Sequence, residues 1–186
     1  MIKMIKVATA ECFTHGKIGR EIHAICQNYE GNFNLDYLND YASLDYSKIS
    51  LSCSLFIPTL EALKKVLKVE SPPEPLMLIK GIKVYNEEED KKVAELMANS
   101  VKKLTNCDIA IGTTAGVGKG GIAIVTDNIT IIATSDVYAD LRDNNTEQIF
   151  KRQESAIKKT IKLFLLLLNE DFESIKSIKN VEIYEN

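Results

Sequence analysis

"CDIAIGTTAGVGKGGIAIVTDNITIIAT", Cys107 to Thr134, is the stretch whose reading decides the fold. "CDIAIG" is a short apolar run that enters a glycine-rich segment, and it reads as a buried strand. Ile122–Thr126 and Ile129–Thr134 are two more apolar runs, joined at Asp127-Asn128. So short a joint, made of residues that tolerate tight turns, predicts a β-hairpin. Hairpin strands are antiparallel, whereas strands joined through helices are parallel. A sheet holding both kinds is mixed.

The flanks supply the helices. Upstream, Asn86 precedes Glu87, Glu88 and Glu89, a capping residue followed by acids that suit the positive end of a helix. That helix is expected to run to about Leu104. Downstream, a long helix is expected from Thr146 to about Asn169, then a charged tail with a short last strand at Val181 to Tyr184. Toward the N-terminus, Ile5–Ala10 reads as a first buried strand. A helix follows with Ile18, Ile22, Ile25 and Tyr29 on one face. Glu30–Ser47 is polar and dotted with tyrosines, a long loop or broken helix. Lys48–Ile57 alternates as a strand does, and Pro58-Thr59 introduces a helix carrying Leu60, Leu63, Val66 and Leu67. "ESPPEP" at Glu70–Pro75 breaks the chain before the short apolar runs Leu76–Ile79 and Ile82–Tyr85. The expectation is one α/β domain over residues 1–186, a layered fold with a mixed β-sheet flanked by helices.

Composition narrows the function. The net charge of -3 offers no basic footprint for nucleic acid. The longest apolar run, Leu163 to Leu168, is far too short to span a membrane, and the lysine-interrupted start does not suit a signal peptide. A cytoplasmic protein is expected. Cys12, Cys26, Cys53 and Cys107 are scattered, no CxxC occurs, and histidine is found only at His15 and His23. Neither a zinc site nor a disulfide is expected.

Two turns carry unusual chemistry. Ligands of layered α/β sheets gather beyond the strand ends, and Glu11–Gly16 and Gly112–Gly121 both follow strands. In the second, Lys119 is followed by Gly120 and Thr113 stands where a P-loop needs glycine. Gly116, Gly118 and Gly121 do fit GxGxxG, but a strand follows where that motif requires a helix. What remains is a ligand loop. Its glycines allow close backbone approach, its amides can form an anion nest, Thr113 and Thr114 offer hydroxyls, and Lys119 a mobile charge. A plain connector is the competing reading. In the first turn, Cys12 follows a strand and precedes a helix expected to be capped by Thr14. Amides of that helix end, with His15 and Lys17, would favour its thiolate. The other three cysteines read as core filler. His15 is the local candidate base.

"TAECFTHG" followed by "CDIAIGTTAGVGKGGIAIV" resembles the C-terminal domain of CinA, the nicotinamide-mononucleotide deamidase fold. That family carries a TAES-C-TGG turn and a TG-I-AG-P-GG loop. Here Cys12 stands in place of the serine, His15 in place of a glycine and Val117 in place of the proline. "VATAECFTHGKIGREIHA", Val7–Ala24, resembles the HcgF family more closely, methanogen proteins of iron-guanylylpyridinol cofactor biosynthesis for [Fe]-hydrogenase. The resemblance implies that Cys12 forms a thioester with the carboxylate of guanylylpyridinol, after an adenylating partner enzyme (HcgE-like) has activated it. Guanylylpyridinol is then substrate or ligand, with no cofactor bound permanently. The catalytic candidates are Cys12 and His15. The ligand-binding candidates are Thr9, Glu11, Thr14, Thr113, Thr114, Gly116, Gly118, Lys119, Gly120 and Gly121, with Asp136, Asp140 and Arg142 as rim candidates. Fold relatives imply a homodimer. The rival readings are a deamidase-like amidohydrolase acting on a pyridine nucleotide and a non-covalent nucleotide-binding module.

Overall fold

Residues 4–29 and 45–186 are described by a computed structural model. The strands are β1 Ile5–Glu11, β2 Ile49–Phe56, β3 Met77–Ile79, β4 Ile82–Val84, β5 Ile109–Thr114, β6 Val117–Gly118, β7 Gly121–Val125, β8 Ile129–Ala133, β9 Ala139–Asp140 and β10 Val181–Glu185. The helices are α1 Lys17–Gln27, α2 Leu60–Lys65, α3 Glu87–Thr105, α4 Thr146–Leu168 and α5 Phe172–Ser177. The main sheet has the order β10-β8-β7-β5-β1-β2. β1 is parallel to both β2 and β5, and the pairs β5–β7, β7–β8 and β8–β10 are antiparallel. The mixed sheet expected from the hairpin is therefore present, with Val125 facing Thr130 across the Asp127-Asn128 turn.

Side-chain alternation along the strands sorts the core into two layers. Val7, Ile109, Ile111, Ile122 and Ile124 join Ile18, Ile22 and Ile25 of α1 and Leu163 to Leu167 of α4 on one face. Ala8, Ala10, Ala110 and Ala123 join Val93, Ala94, Met97 and Val101 of α3 on the other. The α3 face is lined by small residues, so this helix sits close against the sheet. A Cβ on Gly112 would come 2.0 Å from the Ala94 carbonyl oxygen. β1 is thus the strand at which the chain changes direction: α1 leads to β2 on one side, and α3 leads to β5 on the other, from the opposite face.

Several expectations shift in detail. Asn86 caps α3 through Glu89 N, as expected, and Thr59 caps α2 through Ala62 N. α1 is not capped by Thr14. Its N-cap is Gly16 at φ 76°, and it ends at Gln27, before Tyr29. The runs at Leu76–Ile79 and Ile82–Tyr85 form a separate antiparallel pair, β3–β4. The polar stretch Glu30–Ser47 lies, except at its end, outside the described residues, and Tyr46–Lys48 is a 3-10 turn. Helix α5 lies in the tail that read only as charged. No helix among the described residues is long and apolar enough to cross a membrane.

Candidate functional site

The two turns singled out by chemistry are neighbours. Glu11 is in register with Thr113, and the Cys12 amide donates to the Thr113 carbonyl at 2.9 Å. Both lie at the C-terminal ends of parallel strands, at the point where the strand order reverses. Crevices at such switch points are where α/β sheets bind ligands.

Glu11 organises the first turn. It is fully buried, and its carboxylate accepts four hydrogen bonds. Thr9 Oγ1 (2.9 Å) and the Gly19 amide (2.8 Å) donate to Oε1. Thr14 Oγ1 (2.6 Å) and the Ile18 amide (3.1 Å) donate to Oε2. The positive end of α1 is thereby occupied by an internal carboxylate. Thr14 Oγ1 also lies 2.8 Å from Thr113 Oγ1, and Thr9 Oγ1 lies 2.9 Å from Ser54 Oγ. Thr9, Glu11, Thr14 and Thr113 thus form one buried network that ties β1, α1, β2 and β5 together.

Cys12 lies where alternation puts it. Val7 joins the α1 side and Glu11 binds α1, so Ala8, Ala10 and Cys12 turn to the α3 face. Cys12 is 4% exposed, and its Sγ lies 3.8 Å from the Pro58 carbonyl oxygen. It does not face the amides of α1, because Glu11 does. Nor does His15 supply a charge. Burial, then Lys17, holds its imidazole below the usual value, so it is neutral near neutral pH. Its ring packs against Phe56 at 5.3 Å and makes no hydrogen bond to Cys12. Lys17 donates to Gln153 Oε1 at 2.7 Å. Of the remaining cysteines, Cys107 is buried while Cys26 and Cys53 are half-buried, and none is in a disulfide.

The glycine-rich segment is built into the fold and is not an open loop. Gly116, Gly118, Gly120, Gly121, Thr113 and Thr114 are buried, and Val117 and Lys119 half-buried. Val117–Gly118 pairs with Ala139–Asp140. Two of the amides expected to cradle an anion already hold protein carboxylates: Gly116 N donates to Asp90 Oδ2 and Lys119 N to Glu87 Oε2, each at 2.7 Å. Gly118 and Gly120 do require glycine, at φ 125° and 77°. Asp140 and Arg142 pair with each other at 2.6 Å on the rim, while Asp136 pairs with Lys159.

Three charged residues absent from the sequence reading complete the region. Arg152 of α4 is 1% exposed, and its Nη1 donates to the carbonyls of Gly116, Gly118 and Ala139 at 3.0, 2.9 and 2.9 Å. Its neighbour Gln153 donates to the Phe13 carbonyl at 2.7 Å, so one turn of α4 clamps both turns. Lys83 of β4 is fully buried, and Nζ donates to the carbonyls of Ile57 (2.9 Å) and Pro58 (3.3 Å). Asp90 of α3 is also fully buried. Its Oδ1, Thr114 Oγ1 and Arg152 Nε have no hydrogen-bond partner among the described residues. One signal could have found Asp90 and Arg152: each continues the buried helical stripe of its helix, Asp90 ahead of Val93, Ala94 and Met97, and Arg152 ahead of Ala156. Among the described residues no group of His, Cys, Asp and Glu is arranged to hold a metal.

Burial pushes the Asp90 carboxyl up to about 7, against the Gly116 amide, Arg152, Lys83 and Thr114, which pull it down. The folded state therefore holds this proton more tightly than the unfolded chain. Its contribution to stability is complete below about pH 4 and is lost as pH rises toward 7. Denaturant titrations are expected to show stability falling over that window by up to roughly 4 kcal/mol from this group. Asp90→Asn should flatten the profile, and an unchanged slope would place the titration elsewhere.

Residues 4–168 match the family described as HcgF, FeGP cofactor biosynthesis protein. A UPF0254 protein of Methanothermobacter thermautotrophicus is 50% identical over 160 residues, 86% of this chain and 96% of the relative. UPF0254 proteins of Methanocaldococcus jannaschii and Methanopyrus kandleri are 44% and 43% identical, over 91% and 87% of this chain and 99% and 86% of theirs.

Proposed function

The chain belongs to the HcgF family of FeGP cofactor biosynthesis proteins, with a role in making the [Fe]-hydrogenase cofactor, and from that premise we propose that Cys12 forms an acyl-thioester with the carboxylate of guanylylpyridinol. The observation that supports this most is the position of Cys12. It directly follows β1 at the switch point of the sheet, beside the β5 turn, the region in which sheets of this kind bind ligands. A carboxylate resists attack until activated. An adenylating partner supplies the mixed anhydride, the Cys12 thiolate adds to the acyl carbon, and the carbon–oxygen bond to phosphate breaks, releasing AMP. The thiol proton passes to solvent. Thr9, Glu11, Thr14 and Thr113 hold the turn rigid, and the half-buried Lys119 is the cation on the glycine segment best placed for a ligand phosphate. A cytoplasmic homodimer acting on a nucleotide-like ligand belongs to the same reading.

Intact-mass spectrometry after incubation with guanylylpyridinol, ATP and the adenylating partner tests it. A hydroxylamine-labile mass increase equal to the acyl group, mapped to Cys12, is expected. Ammonia release from nicotinamide mononucleotide would favour the amidohydrolase, and tight binding with no adduct the non-covalent module.

A further inference from the structure

Leu76, Met77 and Leu78 follow one another in the chain and stay 59%, 43% and 50% exposed. Single apolar residues on a surface are ordinary, but three large ones in a row form a patch that folding leaves in water. Met77 and Leu78 begin β3, the outer strand of the β3–β4 hairpin, and Leu76 leads into it. The two edges of this hairpin differ. Thr59 bridges to Ile82 along the far side of β4, and the Leu60 amide donates to the Gly81 carbonyl at 3.0 Å. No strand among the described residues pairs with the outer side of β3. The two-residue turn Lys80-Gly81 has φ 51° and 83°, so Ile79 and Ile82 are its hydrogen-bonded pair. Leu78 and Lys83 come next and are a non-hydrogen-bonded pair, in which the N–H and C=O of Leu78 point away from β4. An open edge that carries apolar side chains is a template for another strand.

The sequence indicates which strand. Glu74–Lys80 (EPLMLIK) is arranged about Met77: Leu76 and Leu78 flank it, then Pro75 and Ile79, then Glu74 and Lys80. Two copies run antiparallel about a twofold axis at Met77 therefore meet with Leu76 against Leu78, and with Glu74 against Lys80 at both ends. A parallel pairing in register would instead set Glu74 beside Glu74 and Lys80 beside Lys80. Both charged residues are exposed, and neither has an ion-pair partner among the described residues. Pro72, Pro73 and Pro75 have no amide proton, so the backbone pairing is short and side-chain contact carries the rest. Cavities of about 420 and 490 Å³ flank the hairpin, both lined by Leu60, Lys64 and Leu78, and they offer room for Leu76 of the second copy.

We propose that the outer edge of β3, centred on Met77, is the surface through which two copies of this chain associate. The proposal rests on the homodimer in the reading above and gives it a place. The inner strand of the same hairpin carries Lys83, which bonds the Ile57 and Pro58 carbonyls next to Cys12. Association at β3 thus braces the hairpin that backs the candidate site.

Sedimentation equilibrium and oxidative cross-linking test it. The protein should sediment as a dimer. Met77→Asp sets two carboxylates together at the axis and should give a monomer. Glu74→Lys and Lys80→Glu each place like charges opposite one another at both ends, and each should raise the dimer dissociation constant at least about tenfold. The double variant restores opposite charges and should return to within about threefold of the parent. Met77→Cys should form a disulfide-linked dimer on oxidation, far more completely than Leu104→Cys, a position 49% exposed at the end of α3. All four positions are exposed, so these variants leave the core intact. A dimer that survives Met77→Asp unchanged, or a double charge variant no tighter than the single ones, overturns the proposal and leaves the homodimer to another face. A monomeric parent overturns this surface and the homodimer together. Adduct formation at Cys12 is measured separately, so the thioester stands or falls apart from both.

Discussion

Cys12→Ser is expected to abolish the covalent adduct proposed for Cys12, lowering its yield at least about 100-fold, with the fold intact and the affinity for guanylylpyridinol proposed above retained. A serine hydroxyl near neutral pH needs a base, and the described residues show none hydrogen-bonded to Cys12 Sγ. The ring of His15, the local candidate, packs against Phe56. The fold tolerates the change because the site is small and the new hydroxyl can donate to the Pro58 carbonyl as the thiol does. Stability should stay within about 1 kcal/mol of the parent. Ligand affinity should hold as well, since neither the Glu11 network nor the glycine segment is altered. Peptide mapping and calorimetry on the same preparation check both halves. An adduct that persists in Cys12→Ser, or one found on Cys26, Cys53 or Cys107 in the parent, assigns the chemistry to another residue.

The second large effect is on folding. Gly112→Ala is expected to cost about 3 kcal/mol or more, because the added Cβ would lie 2.0 Å from the Ala94 carbonyl oxygen and 2.7 Å from the Ala98 amide. Those are backbone atoms of α3, so relief requires the helix to lift from the sheet. In a domain of this size the melting temperature should fall by about 8 °C. Gly16→Ala is the informative contrast. Nothing lies within 4 Å of its Cβ, and only the φ of 76° opposes it, which costs about 1 kcal/mol. If Gly112→Ala unfolds at the same denaturant concentration as the parent, α3 is not seated on β5 as described.

Substitutions in the glycine segment act on packing in the same way. A valine at Gly118 would meet Glu87 at 2.8 Å, and one at Gly120 would meet Ala115 at 2.6 Å, both with positive φ. Such variants disturb the fold before they disturb a ligand, so a loss of binding in them does not by itself reveal an anion nest. The carboxylates of Asp90 and Glu87 occupy two of the amides that the nest would have used.

The sequence alone determined those features whose causes lie within a few residues. The Asp127-Asn128 hairpin, the Asn86 cap and the alternation of β2 are local, because turn geometry, capping and strand period depend on near neighbours. The adjacency of the two candidate turns followed as well, from the rule that crossover strands present their C-terminal ends together. Only tertiary structure decided which way Cys12 points. Alternation states that neighbouring residues face opposite sides but not which helix covers each side. Here Glu11 takes the α1 amides and Cys12 turns to α3. Tertiary structure likewise made the glycines of residues 112–121 seats for α3 and for carboxylates, and brought Lys83, Asp90 and Arg152 to the same region. Arg152 lies far from Lys83 and Asp90 in the chain, and a charged residue in a short strand or at a helix end reads as solvated. Only the packing of β4, α3 and α4 over the ends of β1 and β5 makes them buried neighbours of one another.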